Sequence, residues 1–463
     1  MNKKIRFGIL MLFVLAMCTA FMPTDASAQN KKQRRLARSL AAQGDGLYRQ
    51  RNYSAAILKY SEAIQIMPKF PFAHFSKGYA HYNLRQYGEA INELSQALEQ
   101  GYSSEEVYAV RWQAYFLIKD WSNALSDIKN AQKKDSKNPY FHIAEGQINH
   151  ELARYSDAIN AYQRGVNLGS KNNNVYYFMA RTYNAAGNFE QQGIAAKKAL
   201  DGGTRFPAEA WFFVGDSFQR QRKYKEAAEA YELSYAANQD IRQVYLNLSD
   251  TYRNLNEFQK AIKIALAGTR KYPDDGDLKV SLSWYYSLAD QHGNAIAVAN
   301  EAIKIVPNQY MAHTNLCRAY NDLKQYNSAI GSCKRALELQ PGDGETNFYL
   351  GRAYQLLGNT KVAAGYYKDA VTGLIEFTKN NPDYSDGFYL LGNAYFADGQ
   401  RDNAISAYHK CLEISPRFAK AHYNLGYVYM QAGNAPAARQ QYAALQEIDA
   451  DLAGKLLAVI DNQ

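Results

Sequence analysis

Apolar residues recur along this chain at the three- and four-residue spacing of amphipathic helices. One such stripe follows an asparagine and consists of Tyr53, Ile57, Tyr60 and Ile64. The spacing predicts a helix with one buried face. We place its N-cap at Ser54 and its end before Pro68, because proline does not continue a helix.

The same pattern returns every 34 residues. Two sets of alanines carry the period: Ala56, Ala90, Ala124 and Ala158, and Ala63, Ala97 and Ala131. Gly44 and Gly78 share it, and we expect small residues where two helices approach closely. Self-similarity at this period predicts a stack of two-helix units, because one helix pair cannot bury its own apolar stripe.

The repeat resembles the tetratricopeptide repeat (TPR) family, whose signature places Leu-Gly, Tyr, Ala and Pro at fixed offsets within 34 residues. The segment 423–429, Tyr-Asn-Leu-Gly-Tyr-Val-Tyr, matches the first helix of that signature closely. The resemblance extends roughly from Leu36 to Ala450. It implies an all-α, right-handed superhelical solenoid of about 12 helix-turn-helix units.

Two places break the period. Gly215 lies 35 residues after Ala180, and the loop 201–207 between them contains Gly-Gly and Pro, which predicts a hinge or a subdomain boundary. Gly392 lies 41 residues after Gly351, which predicts that residues 371–378 extend the preceding helix by about two turns.

These irregularities and the repeat register predict the domain boundaries. We expect repeats 1–5 in residues 37–200, repeats 6–12 in residues 208–450 and a capping helix in residues 451–463. The fifth repeat is degenerate, since Gln192 stands where an alanine is expected.

The amino end has the pattern of an export signal. A positive start with Lys3, Lys4 and Arg6 precedes an apolar run over residues 7–22 and an Ala-Ser-Ala cleavage site at 26–28. This predicts a cleaved signal peptide, residues 1–28. A membrane anchor and lipidation of Cys18 are the alternatives. We expect a periplasmic or outer-membrane-associated protein of a Gram-negative bacterium rather than a fully secreted one.

Residues 29–36 predict a basic tail leading into the first helix. The chain has a formal net charge of +9, and basic residues cluster at Lys31, Lys32, Arg34, Arg35 and Arg38. We interpret the cluster as solvated, with attraction to an anionic membrane or glycan as the alternative. Nucleic acid is not an expected partner, because an exported protein rarely meets it and the remaining charge is mixed.

Candidate chemistry is absent from the sequence pattern. The eight histidines are scattered and form no zinc-binding motif with one another or with cysteines. Gly-rich phosphate loops and nucleophile elbows are also missing. We therefore expect no catalytic, cofactor-binding or metal-binding residues and no enzyme activity. Cys317, Cys333 and Cys411 occupy core positions, and the sequence leaves open whether the first two form a disulfide.

The resemblance assigns partner binding to the first helix of each pair, which lines the concave side in the family. The residues at those positions are Phe75, Tyr79, Tyr82, Tyr177, Arg181, Phe212, Asp216, Asp250, Arg253, Trp284, Asn315, Arg318, Arg352, Tyr389, Asn393, Tyr423, Asn424 and Tyr427. Tyrosines with interspersed Arg and Asn suit an extended peptide. The family's Lys-Asn carboxylate clamp is not matched, because Tyr389 stands at the lysine position.

The sequence thus predicts a non-catalytic scaffold for protein partners in the bacterial cell envelope. The partner would be an extended peptide or an envelope assembly. Two alternatives remain: a module that binds glycan or cell-wall fragments, and a regulatory subunit of an envelope enzyme or secretion complex.

Overall fold

The computed structural model describes residues 27–462, and within this range every regular element is an α-helix. In chain order the helices are α1 (Ser27–Arg49), α2 (Tyr53–Ile66), α3 (Pro71–Asn83), α4 (Tyr87–Glu99), α5 (Glu105–Leu117), α6 (Trp121–Lys134), α7 (Pro139–Glu151), α8 (Tyr155–Asn167), α9 (Val175–Ala185), α10 (Phe189–Asp201), α11 (Pro207–Arg220), α12 (Tyr224–Ala237), α13 (Arg242–Asn254), α14 (Phe258–Lys271), α15 (Gly276–Leu288), α16 (His292–Ile305), α17 (Tyr310–Asp322), α18 (Tyr326–Leu339), α19 (Gly344–Leu356), α20 (Thr360–Asn380), α21 (Ser385–Ala397), α22 (Arg401–Ile414), α23 (Ala419–Gln431), α24 (Ala435–Gln446) and α25 (Ala450–Asp461).

The described helices alternate as first and second members of repeats, and the turn inside each repeat has one residue with a left-handed φ. These residues are Arg51, Arg85, Lys119, Ala153, Gly187, Arg222, Asn256, Asp290, Lys324, Gly358, Gly399 and Gly433. Their spacing is 34 residues except for steps of 35 before Arg222 and 41 before Gly399. The repeat register and the two breaks in the period are therefore confirmed, and α25 follows the last repeat. A hinge or a subdomain boundary at the loop 201–207 stays a prediction.

The N-cap that we placed at Ser54 is wrong. The structure begins α2 at Tyr53, so that Asn52 is the cap and its side chain accepts a hydrogen bond from the backbone N–H of Ala55 at 3.2 Å. The left-handed residue Arg51 sets this register, because the chain can enter a helix two residues after it. Asp120 caps α6 in the same way, accepting from Asn123 at 3.2 Å.

Small residues allow the two helices of a repeat to approach, as predicted. Ala56, Ala90, Ala124 and Ala158 are completely buried. A Cβ atom added at Gly146 would lie 2.5 Å from the ring of Tyr162 on the paired helix. The same facing pair recurs as Gly44 and Tyr60, Gly215 and Tyr231, Gly351 and Tyr367, and Gly392 and Tyr408. Each tyrosine ring thus fills the space that the missing side chain leaves.

The described helices form two compact units. The first ends at Asn188 and holds α1–α9, and the second begins at Phe189 and holds α10–α25. The loop 201–207 lies inside the second unit, between α10 and α11. There Gln192 is completely buried, and its amide donates to the carbonyl oxygen of Phe213 at 3.1 Å and to Asp216 at 3.0 Å. These bonds explain why a polar residue replaces the expected alanine.

Helix α20 has 21 residues, whereas its counterparts among the described second helices of the second unit have between 12 and 14. The extension predicted for residues 371–378 is therefore present. The added turns pack closely on the start of α19, where a Cβ at Gly344 would lie 2.5 Å from the backbone nitrogen of Leu374. Two extra turns displace the connection to α21.

The two ends of the chain differ in how much the structure describes. Most of the predicted signal peptide, residues 1–26, lies outside the described residues. The predicted basic tail, residues 29–36, is part of helix α1, and its residues from 30 onward are exposed. At the other end α25 packs on α23 and α24, with Leu456 buried against Gly426.

Candidate functional site

The first helices of the repeats lie next to one another and form an inner layer, which is continuous through the second unit. In the second unit, contacts that skip one helix join α13 with α15, α15 with α17, α17 with α19, α19 with α21 and α21 with α23. In the first unit they join α1 with α3, α3 with α5 and α7 with α9. All the predicted partner-binding residues lie on first helices. They therefore lie in the layer whose members come closest together.

A cavity of about 1130 Å³ opens along the inner layer of the second unit. Helices α15, α17, α19, α21 and α23 line it, and we call it the C-terminal groove. Half of the predicted residues meet there: Trp284, Asn315, Arg318, Arg352, Tyr389, Asn393, Tyr423, Asn424 and Tyr427. The structure thus brings together residues that are more than 140 positions apart in the sequence.

Several aromatic residues that line the groove were not predicted from the sequence. Phe348 and Tyr349 lie beside predicted positions on α19, whereas Tyr384 and Phe418 lie just before α21 and α23. The repeat signature gives no weight to these positions. The extra turns of α20 were the available signal for Tyr384, because they change where the following connection lies.

Arg253 of α13 is held inside the second unit and is only 4% exposed. Its guanidinium donates to Asp250 at 2.9 Å and to Asp386 of α21 at 2.5 Å. It also lies 4.7 Å from the ring of Trp284 and 5.3 Å from that of Tyr384. Burial alone would lower the pKa of Arg253, but Asp250, Tyr384 and Asp386 outweigh it and raise the pKa well above its ordinary value.

Two further ion pairs cross the second unit. Arg222, in the turn before α12, contacts Asp383 in the connection that follows α20. Lys420 of α23 lies 3.7 Å from Asp290, in the turn before α16. These contacts join turns and helices that are several repeats apart. The segment after the long helix α20 therefore folds against α13 and bounds the C-terminal groove.

Arg318 of α17 has a different environment. It is 8% exposed, its Nη2 contacts Glu345 of α19, and its Nε and Nη1 are buried without a hydrogen-bond partner. Its guanidinium lies 5.9 Å from the ring of Trp284 and 5.5 Å from that of Tyr349. A buried donor without an acceptor costs about 1–3 kcal/mol, more when the group is charged. Arg318 therefore favours an additional acceptor.

The acidic side chains that line the groove are mostly engaged. Asp277 accepts from Arg242 at 2.8 Å, and Asp322 accepts from Arg352 at 2.9 Å. Asp343 caps α19 by accepting from the backbone N–H of Thr346 at 2.9 Å. None of these carboxylates accepts a hydrogen bond from Nε or Nη1 of Arg318.

The far end of the groove is an amide and tyrosine network. Asn424 donates to Asn393 at 2.8 Å and to the Tyr389 hydroxyl at 3.3 Å, and the Tyr408 hydroxyl donates to Asn393 at 2.7 Å. Burial raises the pKa of Tyr389. Asn393 and Asn424 thus bond to each other and to tyrosines, and they form an uncharged wall of the groove.

In the first unit, tyrosines of successive first helices form a row. Tyr79 stacks on Tyr48 with ring centroids 5.4 Å apart and on Tyr82 at 6.4 Å. The Tyr82 hydroxyl donates to Gln113 at 2.8 Å. Phe75, although predicted to face a partner, is only 5% exposed and packs with Leu94, Ala97 and Val107. Its ring therefore offers little surface to a ligand.

The remaining predicted residues have intramolecular contacts. Arg181 donates to His150 at 3.0 Å and contacts Glu151, and burial together with the charge of Arg181 lowers the pKa of His150. The ring of Tyr177 lies 5.7 Å from that of Phe178, and the ring of Phe212 lies 5.6 Å from that of Tyr231. Asn315 lines the groove, but its amide donates to the carbonyl oxygen of Val280 at 3.0 Å. Whether these residues contact a partner stays a prediction.

The described residues contain no group of three or more His, Cys, Asp or Glu side chains placed to hold a metal ion. In the same part of the chain, every helix is too short or too polar to cross a bilayer. Cys317 and Cys333 form a disulfide with their Cα atoms 5.2 Å apart, at the facing positions that Gly and Tyr occupy in other repeats. Cys411 is a buried free cysteine, and burial raises the pKa of its thiol.

Comparison with known families agrees with this architecture. A TPR repeat family model matches residues 44–84 and 392–433, and a tetratricopeptide repeat model matches residues 243–270, 312–343 and 419–452. The chain is a tetratricopeptide repeat protein. Stacked repeats of this kind present extended binding surfaces. This tetratricopeptide repeat protein is accordingly a protein-interaction scaffold.

One curated relative is a BBSome complex member BBS4 homolog of Drosophila melanogaster, 23% identical over 161 residues. The match covers 32% of this TPR protein and 33% of the relative, so it spans about a third of that relative's length.

Three solved structures are similar to the TPR protein. The APC/C hetero-tetramer Cut9–Hcn1 has a TM-score of 0.39 at 13% identity, with 94% of this chain and 97% of that chain covered. Yeast Tom70 has a TM-score of 0.37 at 14% identity, covering 92% and 99%. A tetratricopeptide repeat protein from Parabacteroides merdae has a TM-score of 0.37 at 14% identity, covering 55% and 98%.

Proposed function

We infer that this protein holds a segment of a partner protein in the C-terminal groove and acts in the bacterial cell envelope. The observation that carries the inference is the meeting of nine predicted partner-binding residues in one cavity. Its volume of about 1130 Å³ exceeds the roughly 300–1,000 Å³ of small-molecule sites. The groove therefore suits a peptide segment better than a small ligand.

The composition of the groove supports a protein partner. Trp284, Tyr423 and Tyr427 provide rigid aromatic area, and Arg318 adds a guanidinium with free donors. Trp, Tyr and Arg are the residue types that dominate binding energy at protein interfaces. In the first unit the rings of Tyr48, Tyr79 and Tyr82 stack on one another, which leaves fewer of their faces open to sugars.

The envelope location rests on the sequence pattern of residues 1–28, an export signal ending in Ala-Ser-Ala. The disulfide between Cys317 and Cys333 is consistent with an oxidising compartment. Fractionation of cells that express the full chain tests the location. We expect a mature protein starting at Gln29 in the envelope fraction. An intact Met1 end in the cytoplasm would overturn the location.

The groove itself is tested by site-specific photocrosslinking in cells. A photoreactive phenylalanine at Tyr427 should crosslink to a partner protein, because Tyr427 lines the groove. The same group at Leu233, an exposed residue of the second helix α12, is the matched control. Equal yields at both positions would contradict the groove. Captured material that survives protease digestion would support the glycan alternative, and a stoichiometric enzyme would support a regulatory subunit.

A further inference from the structure

Two arginines lie beside the same indole ring in the second unit. The Cζ atom of Arg253 is 4.7 Å from the centroid of Trp284, and that of Arg318 is 5.9 Å from it. Both arginines lie on first helices and are more than nine-tenths buried. The two guanidinium groups thus share one aromatic neighbour but differ in their other partners.

Arg253 shows how such a guanidinium is satisfied. A short segment of the chain, Tyr384-Ser385-Asp386, approaches it from α21 with a tyrosine ring and a carboxylate. Asp386 accepts a hydrogen bond from Nη1, and Asp250 accepts from Nε. The molecule therefore contains an internal example of an acidic, tyrosine-bearing segment bound to an arginine that lies beside a tryptophan ring.

Arg318 has the aromatic part of this arrangement without the full set of acceptors. The rings of Trp284 and Tyr349 lie beside it, but only its Nη2 contacts a carboxylate, that of Glu345. Its Nε and Nη1 have no hydrogen-bond partner. Arg318 also lines the C-terminal groove, which is the cavity that a partner segment would occupy.

We propose that Arg318 binds the carboxylate of an Asp or Glu side chain in the partner segment, with the flanking residues of that segment against Trp284 and Tyr349. This proposal rests on the proposed function and names the chemistry that the groove recognises. A planar two-bond contact between a guanidinium and a carboxylate uses Nη2 together with either Nε or Nη1. An incoming carboxylate can therefore bond to Nε or Nη1 and to the second N–H of Nη2, which is a strong and directional contact.

The surrounding charges favour a carboxylate over a phosphate. Asp277, Asp322, Glu345 and Asp386 all line the groove. The other cations that line the groove, Arg352 and Lys420, are already paired with Asp322 and Asp290. Arg318 can therefore balance the single charge of a carboxylate, whereas a phosphate, with a charge between about −1.5 and −2 at pH 7, lacks a second countercharge.

Selection from a library of random dodecapeptides displayed on phage tests the proposal with the full chain. We expect the selected peptides to share an Asp or Glu at one position. A synthetic selected peptide with an amidated C-terminus should bind at least tenfold more weakly when that acid becomes its amide. Arg318→Gln should cause a similar loss with the original peptide, and the two changes together should cause little further loss.

Two further variants separate recognition from folding. Arg318→Lys keeps the charge but loses the planar fork, so it should bind with intermediate affinity. Arg335→Gln is the matched control, because Arg335 is exposed on the second helix α18 and pairs with Glu338 of the same helix. It should bind like the parent. Circular dichroism verifies that each variant is folded, and if Arg318→Gln is not, Arg318→Lys and the amide peptide decide the outcome.

Selected peptides that share no acid would overturn the proposal. So would a loss of affinity on replacing the side-chain acid by its amide that is equally large in Arg318→Gln. Tighter binding of a phosphorylated peptide, or of a peptide with a free C-terminal carboxylate, than of the side-chain acid would also overturn it. Failure to select any peptide would also count against it. The proposed function is judged separately, since crosslinking at Tyr427 reports a partner whatever its charge.

Discussion

Arg253 of α13 and Asp386 of α21 form a buried hydrogen-bonded ion pair across the inner side of the second unit, with 2.5 Å between Nη1 and Oδ2. The two residues are 133 positions apart. Their contact fixes one border of the C-terminal groove, because Tyr384 and the start of α21 are held against α13. The two residues belong to different repeats, and the sequence pattern does not relate one to the other.

Removing the carboxylate from this pair should destabilise the second unit. For Asp386→Ala we expect a loss of about 3 kcal/mol, at the lower end of the range for a broken buried pair, because Asp250 remains bonded to Arg253. Urea unfolding followed by circular dichroism measures the change. Asp402→Ala, at an exposed position of α22, is the control and should unfold close to the parent. Equal urea midpoints for Asp386→Ala and Asp402→Ala would show that the ion pair between Arg253 and Asp386 does not stabilise the second unit.

A methyl group at Gly146 should overpack the fourth repeat. The new Cβ would lie 2.5 Å from the Tyr162 ring, and we expect Gly146→Ala to reduce the free energy of unfolding by about 1–3 kcal/mol. Gly46→Ala is the matched control, since Gly46 is also helical but has no atom within 4 Å of the added Cβ. It should stabilise by about 0.5–1 kcal/mol through helix propensity. Gly146→Ala should therefore lower the melting temperature, and Gly46→Ala should raise it.

The left-handed turns predict a second pair of opposite effects. Gly187 has a φ of 72°, so Gly187→Ala should destabilise by roughly 1–2 kcal/mol. Ala153 occupies the corresponding turn of the preceding repeat with a φ of 56°, and Ala153→Gly should relieve that strain and stabilise by about 0.5 kcal/mol. Denaturant midpoints measured side by side decide the point. A destabilised Ala153→Gly would mean that unfolded-state entropy outweighs the strain.

Tyr427 should contribute to partner capture more than to stability. Its side chain lines the C-terminal groove and is only partly buried, with its ring 5.9 Å from that of Phe396. We expect Tyr427→Ala to weaken binding of the crosslinked partner by about tenfold or more, as interface tyrosines do when they are truncated. Leu233→Ala on the outer helix α12 should leave binding unchanged. A melting temperature that falls sharply in Tyr427→Ala would instead assign the ring to packing.

The sequence by itself determined the repeat architecture of this protein. Each repeat contacts mainly its neighbours, so the positions of Ala124, Gly146 and Ala158 report local packing that a 34-residue period encodes directly. The same locality explains why the extension of α20 was predictable. Extra residues between two repeat positions must lengthen the helix or the connection that lies between them. The cap of α2 was misplaced by two residues, because several polar residues in that turn can cap and only the backbone selects Asn52.

Only the tertiary structure decided which inner residues are available to a partner. Arg253 and Arg318 both lie on first helices, and no sequence pattern distinguishes one from the other. One is satisfied by Asp386, while the other retains two nitrogens without acceptors. That difference depends on a segment more than 130 residues from Arg253, positioned by the long helix α20. A repeat period carries no information about such a contact. Contacts between distant repeats depend on the rotation and translation from each helix pair to the next, summed over several repeats.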